Sequence, residues 1–333
     1  MKLLINIPDR GEQNGFLTAE TKAYLESEME VVYNESSRHL TEAEYAELIR
    51  GCDVVMTGWG SPPLTEAVLR QGTPKLLAHV GGTVADYMTD AAYEAGVRVL
   101  SGNAHFAESV AEGTLAYMLS ALRSIPTEVS ALRSGEWRPE YFRKTEGLLD
   151  QTVGIIGFGT ISRYLIEMLR PFRVKLKIYS SYKIDEDYLS EHGAEQAEID
   201  EIFASCKIVS LHSALNEKTR GMIRGRHLDL MADGSIFINT ARGAIVAESE
   251  MAEVLARRDI RAFLDVFTEE PLPEKSPLRS LPNVYLAPHH AGPTEDRRPF
   301  IGRAVAEDVV RFVHGEPLTL EIPYHRAKTM TKH

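Results

Sequence analysis

Cysteine is scarce in this chain: two residues in 333, Cys52 and Cys206. Each leads into an apolar run, Asp53-Val54-Val55-Met56 and Lys207-Ile208-Val209-Ser210-Leu211. That placement marks reduced core thiols and argues against a disulfide or a reactive pair. Long hydrophobic runs are missing too, since no stretch approaches the ~20 apolar residues that span a bilayer. Met1-Lys2-Leu3-Leu4-Ile5 begins like a secretion signal, but Asn6, Pro8 and Asp9 interrupt it before an apolar core forms. Positive charge is in deficit, with 37 Lys and Arg against 48 Asp and Glu and a net charge of −11. That balance disfavours nonspecific attraction to nucleic acid or to an anionic membrane. Together these absences point to the cytoplasm, with neither nucleic acid nor membrane as a partner.

What is present is ordinary globular material, 44% apolar and 26% charged. It suffices for a sizeable core, and the length predicts about two domains at roughly 100–200 residues each. Short apolar runs alternate with helical stretches, the grammar of parallel sheets covered by helices. The first series places strands near 2–7, 30–33, 54–57, 75–79 and 98–100, with helices near 18–27, 41–50 and 65–71. Thr41-Glu42-Ala43-Glu44 has the form of a capping box. A long helix should begin around 106–112 and run to Leu122, and Pro126 should kink or restart it. The second series places strands near 152–156, 175–179, 208–212, 235–239, 262–265 and 284–287, and a last helix near 301–313.

Val153-Gly154-Ile155-Ile156-Gly157-Phe158-Gly159-Thr160-Ile161-Ser162 reads as a strand, a tight turn and a helix start. Gly157 permits the turn, and Gly159 lets backbone N–H groups approach a pyrophosphate at the helix N-terminus. Ser162 takes the place of a third glycine. A ribose-binding acid is expected about 20 residues on, at the end of the second strand, and Ser180 stands there. Without that carboxylate nothing repels a 2′-phosphate, and Lys183 is near, so NAD and NADP both fit.

Farther on, Asn239-Thr240-Ala241-Arg242-Gly243, Asp265–Pro271 and Pro288-His289-His290-Ala291-Gly292 each offer one polar group. Arg242 has a fixed fork of donors for a carboxylate or carbonyl oxygen. His289 can hand a proton to an oxygen that becomes an alcohol, and Glu270 can orient that imidazole and favour its charged form. The set suits reduction of a 2-keto acid. The plain alternatives are a solvated arginine after a strand and a polar Glu-Glu-Pro turn. Adjacent His289 and His290 point opposite ways on an extended segment, so no metal site is expected.

At this point the chain resembles the D-isomer-specific 2-hydroxyacid dehydrogenases. Gly157-Phe158-Gly159, Val209-Ser210-Leu211-His212, Thr219–Ile223, Asn239–Gly243, Asp265–Pro271, Pro282-Asn283-Val284 and Pro288–Gly292 match in order. Upstream, Ser109-Val110-Ala111-Glu112 and Gly135-Glu136-Trp137 match as well. The resemblance implies an α/β fold of two doubly wound parallel-sheet domains, a flavodoxin-like substrate domain and a Rossmann-like cofactor domain. Residues 1–101 with 293–333 would form the former; 102–292 would be inserted as the latter and supply the contacts of a homodimer. A hinged cleft between the two would close over the substrate.

The resemblance also implies roles. Arg242, Glu270 and His289 would be catalytic, in an NAD(P)-dependent interconversion of a small 2-keto acid and its D-2-hydroxy acid. Gly157, Phe158, Gly159, Thr160, Ile161, Ser180, His212, Ala214, Thr240, Ala241, Asp265 and Gly292 would hold the cofactor, with Asp265 beside the nicotinamide. Val80, Gly81 and Gly82 would bind the substrate carboxylate together with Arg242 and His289. The chain departs from the family in three places. His79, Gly81-Gly82 and Thr83 replace the common Arg-x-Gly-Val-Gly-x-Asp, Ala214 replaces a proline, and Ala232-Asp233 replaces Lys-Pro. His79, Trp59 and His105 either line the site or simply pack. Two rival readings are a nucleotide-sensing regulator without turnover and a hydrolase that uses a tightly held NAD.

Overall fold

The structure, a computed structural model, describes residues 1–8, 15–137, 145–328 and 330–331. Asp9, used above to end the signal-like start, lies outside the described residues. The chain separates into two compact units, Met1–Ala107 with Pro293–His333, and Glu108–Gly292. The first division falls later than residue 101, inside a helix continuous over Asn103–Leu122.

The first unit carries five strands, β1 (Lys2–Asn6), β2 (Glu30–Tyr33), β3 (Val54–Thr57), β4 (Leu76–His79) and β5 (Arg98–Ser101). Their order is β2-β1-β3-β4-β5, and every pairing is parallel. This is the flavodoxin-like order. β3 and β4 are buried at every position, as expected of a parallel sheet covered on both faces. Val54, Met56, Leu76 and Ala78 pack with Ile301, Val305 and Val309 of the C-terminal helix Arg297–His314. Val55 and Leu77 pack on the other side with Tyr45, Val68 and Ala92. Each fully buried aliphatic side chain contributes about 1.5–3 kcal/mol. The capping box is present, with Thr41 Oγ1 accepting from Glu44 N–H and Glu44 accepting from Thr41 N–H.

The second unit carries β6 (Thr152–Ile156), β7 (Lys175–Tyr179), β8 (Ala194–Gln196), β9 (Ile208–Leu211), β10 (Ile236–Asn239), β11 (Arg261–Leu264) and β12 (Val284–Leu286). Their order is β12-β11-β10-β9-β6-β7-β8, parallel throughout. The order reverses between β6 and β9, the switch point where α/β sheets bind ligands outside the strand ends. β8 escaped the sequence pattern because it is a short Ala-Glu-Gln edge with Glu195 and Gln196 exposed. Beyond Leu122 the chain turns at Ser124, φ 50, and restarts as the helix Ile125–Arg133 with Pro126 in its first turn. Cys52 and Cys206 are both buried and unbridged, and burial pushes the Cys206 thiol up to about 11. Among the described residues no helix is long and apolar enough to cross a membrane.

Candidate active site

The Gly157 turn joins β6 to the helix Thr160–Leu169. Gly157 has φ 106, and a Cβ there would lie 2.7 Å from the backbone nitrogen of Ser213. Only glycine meets both demands. Gly159 is different, because a Cβ there would meet nothing within 4 Å. The helix behind it has no side-chain cap at its N-terminus, so its amide dipole faces that space. Ser162 is fully buried and donates to the Gly157 carbonyl oxygen at 2.6 Å. The residue in the third-glycine place therefore ties down the turn. Ile161 packs on the core of this unit. The Phe158 ring is buried, and its carbonyl oxygen accepts from the Tyr182 hydroxyl.

Ser180 ends β7 and is buried, its Oγ accepting from Tyr182 N–H at 3.2 Å. Gln196 donates to the carbonyl oxygens of Ser180 and Tyr182. Lys183 pairs with Glu186 at 3.0 Å.

His212 follows β9. Its Nε2 lies 2.8 Å from Ser210 Oγ, while the buried Nδ1 has no hydrogen-bond partner. Burial pushes the imidazole down to about 4, so it is neutral at neutral pH. Ala214 is exposed, and its carbonyl oxygen accepts from Thr219 Oγ1.

Three loops at the carboxyl ends of β10, β11 and β12 are tied into one assembly. Asn239 folds the first: its amide donates to Arg242 O at 3.1 Å and its oxygen accepts from Ala241 N–H at 3.0 Å. Arg242 Nη1 donates to Ala241 O at 2.7 Å. A Cβ on Gly243 would overlap the carbonyl of Phe267, so the Arg242 loop lies flat against the segment that ends in Glu270. Glu270 Oε1 accepts from Phe267 N–H at 2.9 Å, and Oε2 lies 2.7 Å from His289 Nδ1.

Asp265 is 1% exposed, and its carboxylate is fully engaged. Oδ1 accepts from Tyr117 Oη at 2.9 Å and His290 N–H at 2.8 Å; Oδ2 accepts from Ala291 N–H at 3.0 Å. His289 N–H donates to Asp265 O at 2.9 Å. These bonds hold His289 at φ 58, a left-handed backbone outside glycine. The Asp265 carboxylate is thereby a clamp on the histidine loop. Thr240 Oγ1 is bonded to Thr114 Oγ1 at 3.0 Å. Thr114 and Tyr117 thus tie the helix Asn103–Leu122 to two of the loops. A Cβ on Gly292 would meet nothing within 4 Å.

In the first unit, Val80-Gly81-Gly82 follows β4. Val80 is buried, with its N–H donating to Thr57 O at 2.9 Å, and Gly82 O accepts from Ser101 Oγ at 3.0 Å. His79 lies under this loop, with Nδ1 3.0 Å from Thr57 Oγ1 and its ring stacked on Tyr87 at 4.1 Å. Its Nε2 fills the place where a Cβ on Gly81 would stand, so His79 packs and fixes glycine above it. His105 meets Phe300 edge-to-face at 5.0 Å. Among the described residues no group of three or more His, Cys, Asp or Glu is placed to hold a metal.

The family model for the NAD-binding domain of D-isomer-specific 2-hydroxyacid dehydrogenases matches residues 115–291. The chain belongs to this family. It is 33% identical over 281 residues to the D-3-phosphoglycerate dehydrogenase of Methanocaldococcus jannaschii, covering 83% of this chain but 53% of that protein. It therefore spans about half the length of that relative. The Thermotoga maritima hydroxypyruvate reductase is 29% identical over 279 residues, covering 83% of this chain and 90% of its own. The solved apo structure of Rhodotorula graminis D-mandelate dehydrogenase superposes with a TM-score of 0.81 at 21% identity, covering 97% of each chain. At that identity the likeness speaks to the fold alone. Within this dehydrogenase family member, Tyr117 and Thr114 were missed by sequence reasoning, and Ser162 was read only as a stand-in for glycine. The usable signal was three hydroxyls at positions where an apolar helix face or a glycine is expected.

Proposed function

We propose that this protein interconverts a small 2-keto acid and its D-2-hydroxy acid with NAD(H) or NADP(H). The observation that carries the reading is the 2.7 Å pairing of His289 Nδ1 with Glu270 Oε2, on a loop whose neighbour bears Arg242. The open space at Gly159, the uncapped helix and the orphan Nδ1 of buried His212 fit a dinucleotide. Gly157, Phe158, Gly159, Thr160 and Ile161 would hold its pyrophosphate and Ser180 its ribose. His212, Ala214, Thr240, Ala241, Asp265 and Gly292 would line the remainder. When bound, the nicotinamide supplies or accepts the hydride.

The chain's own part is binding and proton transfer. Arg242 grips the substrate carboxylate and carbonyl oxygen through its planar fork. Gly81 and Gly82 would offer their backbone N–H groups to a carboxylate, whereas the Val80 N–H is already given to Thr57 O. His289 gives its Nε2 proton to the carbonyl oxygen as that becomes the alcohol. Glu270 accepts the Nδ1–H, which fixes the orientation of the ring. The reverse reaction returns the proton to Nε2. The test is stopped-flow cofactor absorbance with NADH and NADPH against a panel of 2-keto acids. No acceleration by any acid with either cofactor refutes the assignment.

The loss of the acid at Ser180 makes a separate prediction. Ser180→Asp sets a carboxylate against the 2′-phosphate of NADPH. One pair of like charges at 4 Å costs about 1 kcal/mol in water and more at lower dielectric. The variant should lose about 10–100-fold in kcat/KM for NADPH and little for NADH. An unchanged ratio of the two would place the ribose elsewhere.

Association is the last element of this reading. Ile125, Val129 and Leu132 are exposed on one face of the helix Ile125–Arg133, at helical spacing. A second copy of the chain covers that face. Light scattering should give a dimer for the native protein and a monomer for Leu132→Glu. A native monomer would remove this element.

A further inference from the structure

Three aromatic side chains unused by the reaction above gather at one edge of the first unit. The rings of Phe16 and Phe106 lie nearly parallel, 5.9 Å apart at 12°. Trp59 stands edge-on to both, at 5.1 Å and 83° from Phe16 and at 5.8 Å and 89° from Phe106. Arg298, in the first turn of the C-terminal helix, sets its guanidinium 5.5 Å from the Trp59 ring. Even with these neighbours Trp59 is 42% exposed. Phe16 is 1% exposed and backs the other two rings, so the indole of Trp59 is the surface this cluster offers to an apolar group.

Where this wall stands gives it a task. Trp59 follows β3 and Gly82 follows β4, and both lie at the carboxyl end of the sheet, where α/β folds take ligands. The Phe106 ring lies 3.5 Å from where a Cβ on Gly82 would stand. The wall therefore continues directly from the Val80-Gly81-Gly82 loop.

We propose that the aromatic wall receives the substrate's side chain, and that the substrate class is 2-keto acids carrying an aromatic ring on the third carbon. This rests on the keto-acid reading, in which the N–H groups of Gly81 and Gly82 take the carboxylate. With the carboxylate held there, the third carbon's substituent is the part that reaches Phe106 and Trp59. An aromatic ring meets Phe106 and Trp59 in the edge-to-face and offset geometries that such rings favour. A hydrogen or a hydroxymethyl group leaves the indole in water. A phosphate would set its charge against apolar ring faces.

The experiment measures kcat/KM for phenylpyruvate, glyoxylate, hydroxypyruvate and 3-phosphohydroxypyruvate with the full chain and either cofactor. Phenylpyruvate should lead each of the others by about tenfold or more. Trp59→Ala should shrink the ratio of phenylpyruvate to glyoxylate by about 10–100-fold, mainly through KM. A lead for glyoxylate, hydroxypyruvate or the phosphorylated acid overturns the inference, as does an unchanged ratio in the variant. A second measurement stands apart from turnover and from any folding defect of that variant. The chain has two tryptophans, so Trp137→Phe leaves Trp59 as the sole indole. D-Phenyllactate should then change its emission saturably, and glycolate should not. If no acid is turned over, the reaction assignment falls. The emission still decides the wall, because a saturable D-phenyllactate response keeps it and no response refutes it.

Discussion

If His289 is the general acid, His289→Ala should lower kcat for 2-keto acid reduction by about 10²–10⁴-fold, the usual worth of such a group. The fold should hardly notice the change. His289 and Glu270 side chains are 42% and 36% exposed, and ion pairs this open contribute about 0–1 kcal/mol to stability. A melting temperature close to that of the native protein alongside the kinetic collapse would separate chemistry from folding. Glu270→Gln should fall between the two, because the amide can still orient Nδ1–H but brings no charge. Turnover unchanged in His289→Ala would remove the imidazole from the mechanism. The Arg242 and Glu270 loops would then need another proton donor.

Arg242→Lys should raise KM for the keto acid by about 10–100-fold, and Arg242→Ala should cost more still. The guanidinium presents two parallel donors to a carboxylate, whereas an ammonium is a point charge on a flexible stem. Hydrogen bonds to charged groups are worth about 1.5–3 kcal/mol each, so losing one of a pair accounts for the lysine figure. The turn itself should survive either change. It is folded by the Asn239 side chain and by the close approach of Gly243 to Phe267, neither of which uses the guanidinium. Steady-state kinetics over a range of keto acid concentrations is the check. A KM for Arg242→Ala equal to that of the native protein would show that the carboxylate is held elsewhere.

Much of the fold was legible in the sequence, and so was the nearness of Glu270 to His289. Strands buried on both faces read as short apolar runs, which is why β3, β4, β9 and β10 could be placed within a residue or two. Arg242 and His289 could be singled out because each lies three residues past such a run, and Glu270 because it stands in the segment that follows β11. The turn at Gly157 was legible for the same reason. Long-range bonding was not. Tyr117 sits in a helix of apolar and small residues, where its ring looks like core, and it does stack on Phe263 at 4.1 Å. Nothing local reveals that its hydroxyl reaches Asp265, 148 residues away. Ser162 looked like a tolerated departure from glycine, and only the folded turn brings its hydroxyl to the Gly157 carbonyl. β8 was hidden because an edge strand need not be apolar.

The left-handed backbone at His289 bears on why the residue is there at all. For any side chain with a Cβ that conformation costs on the order of 1 kcal/mol or more, and glycine adopts it freely. A chain selected only to bind a dinucleotide would gain stability by giving up the imidazole for glycine at this position. Here the expensive residue sits in the expensive conformation, held by Asp265 through three backbone amides. That is a free-energy argument for turnover over passive nucleotide sensing.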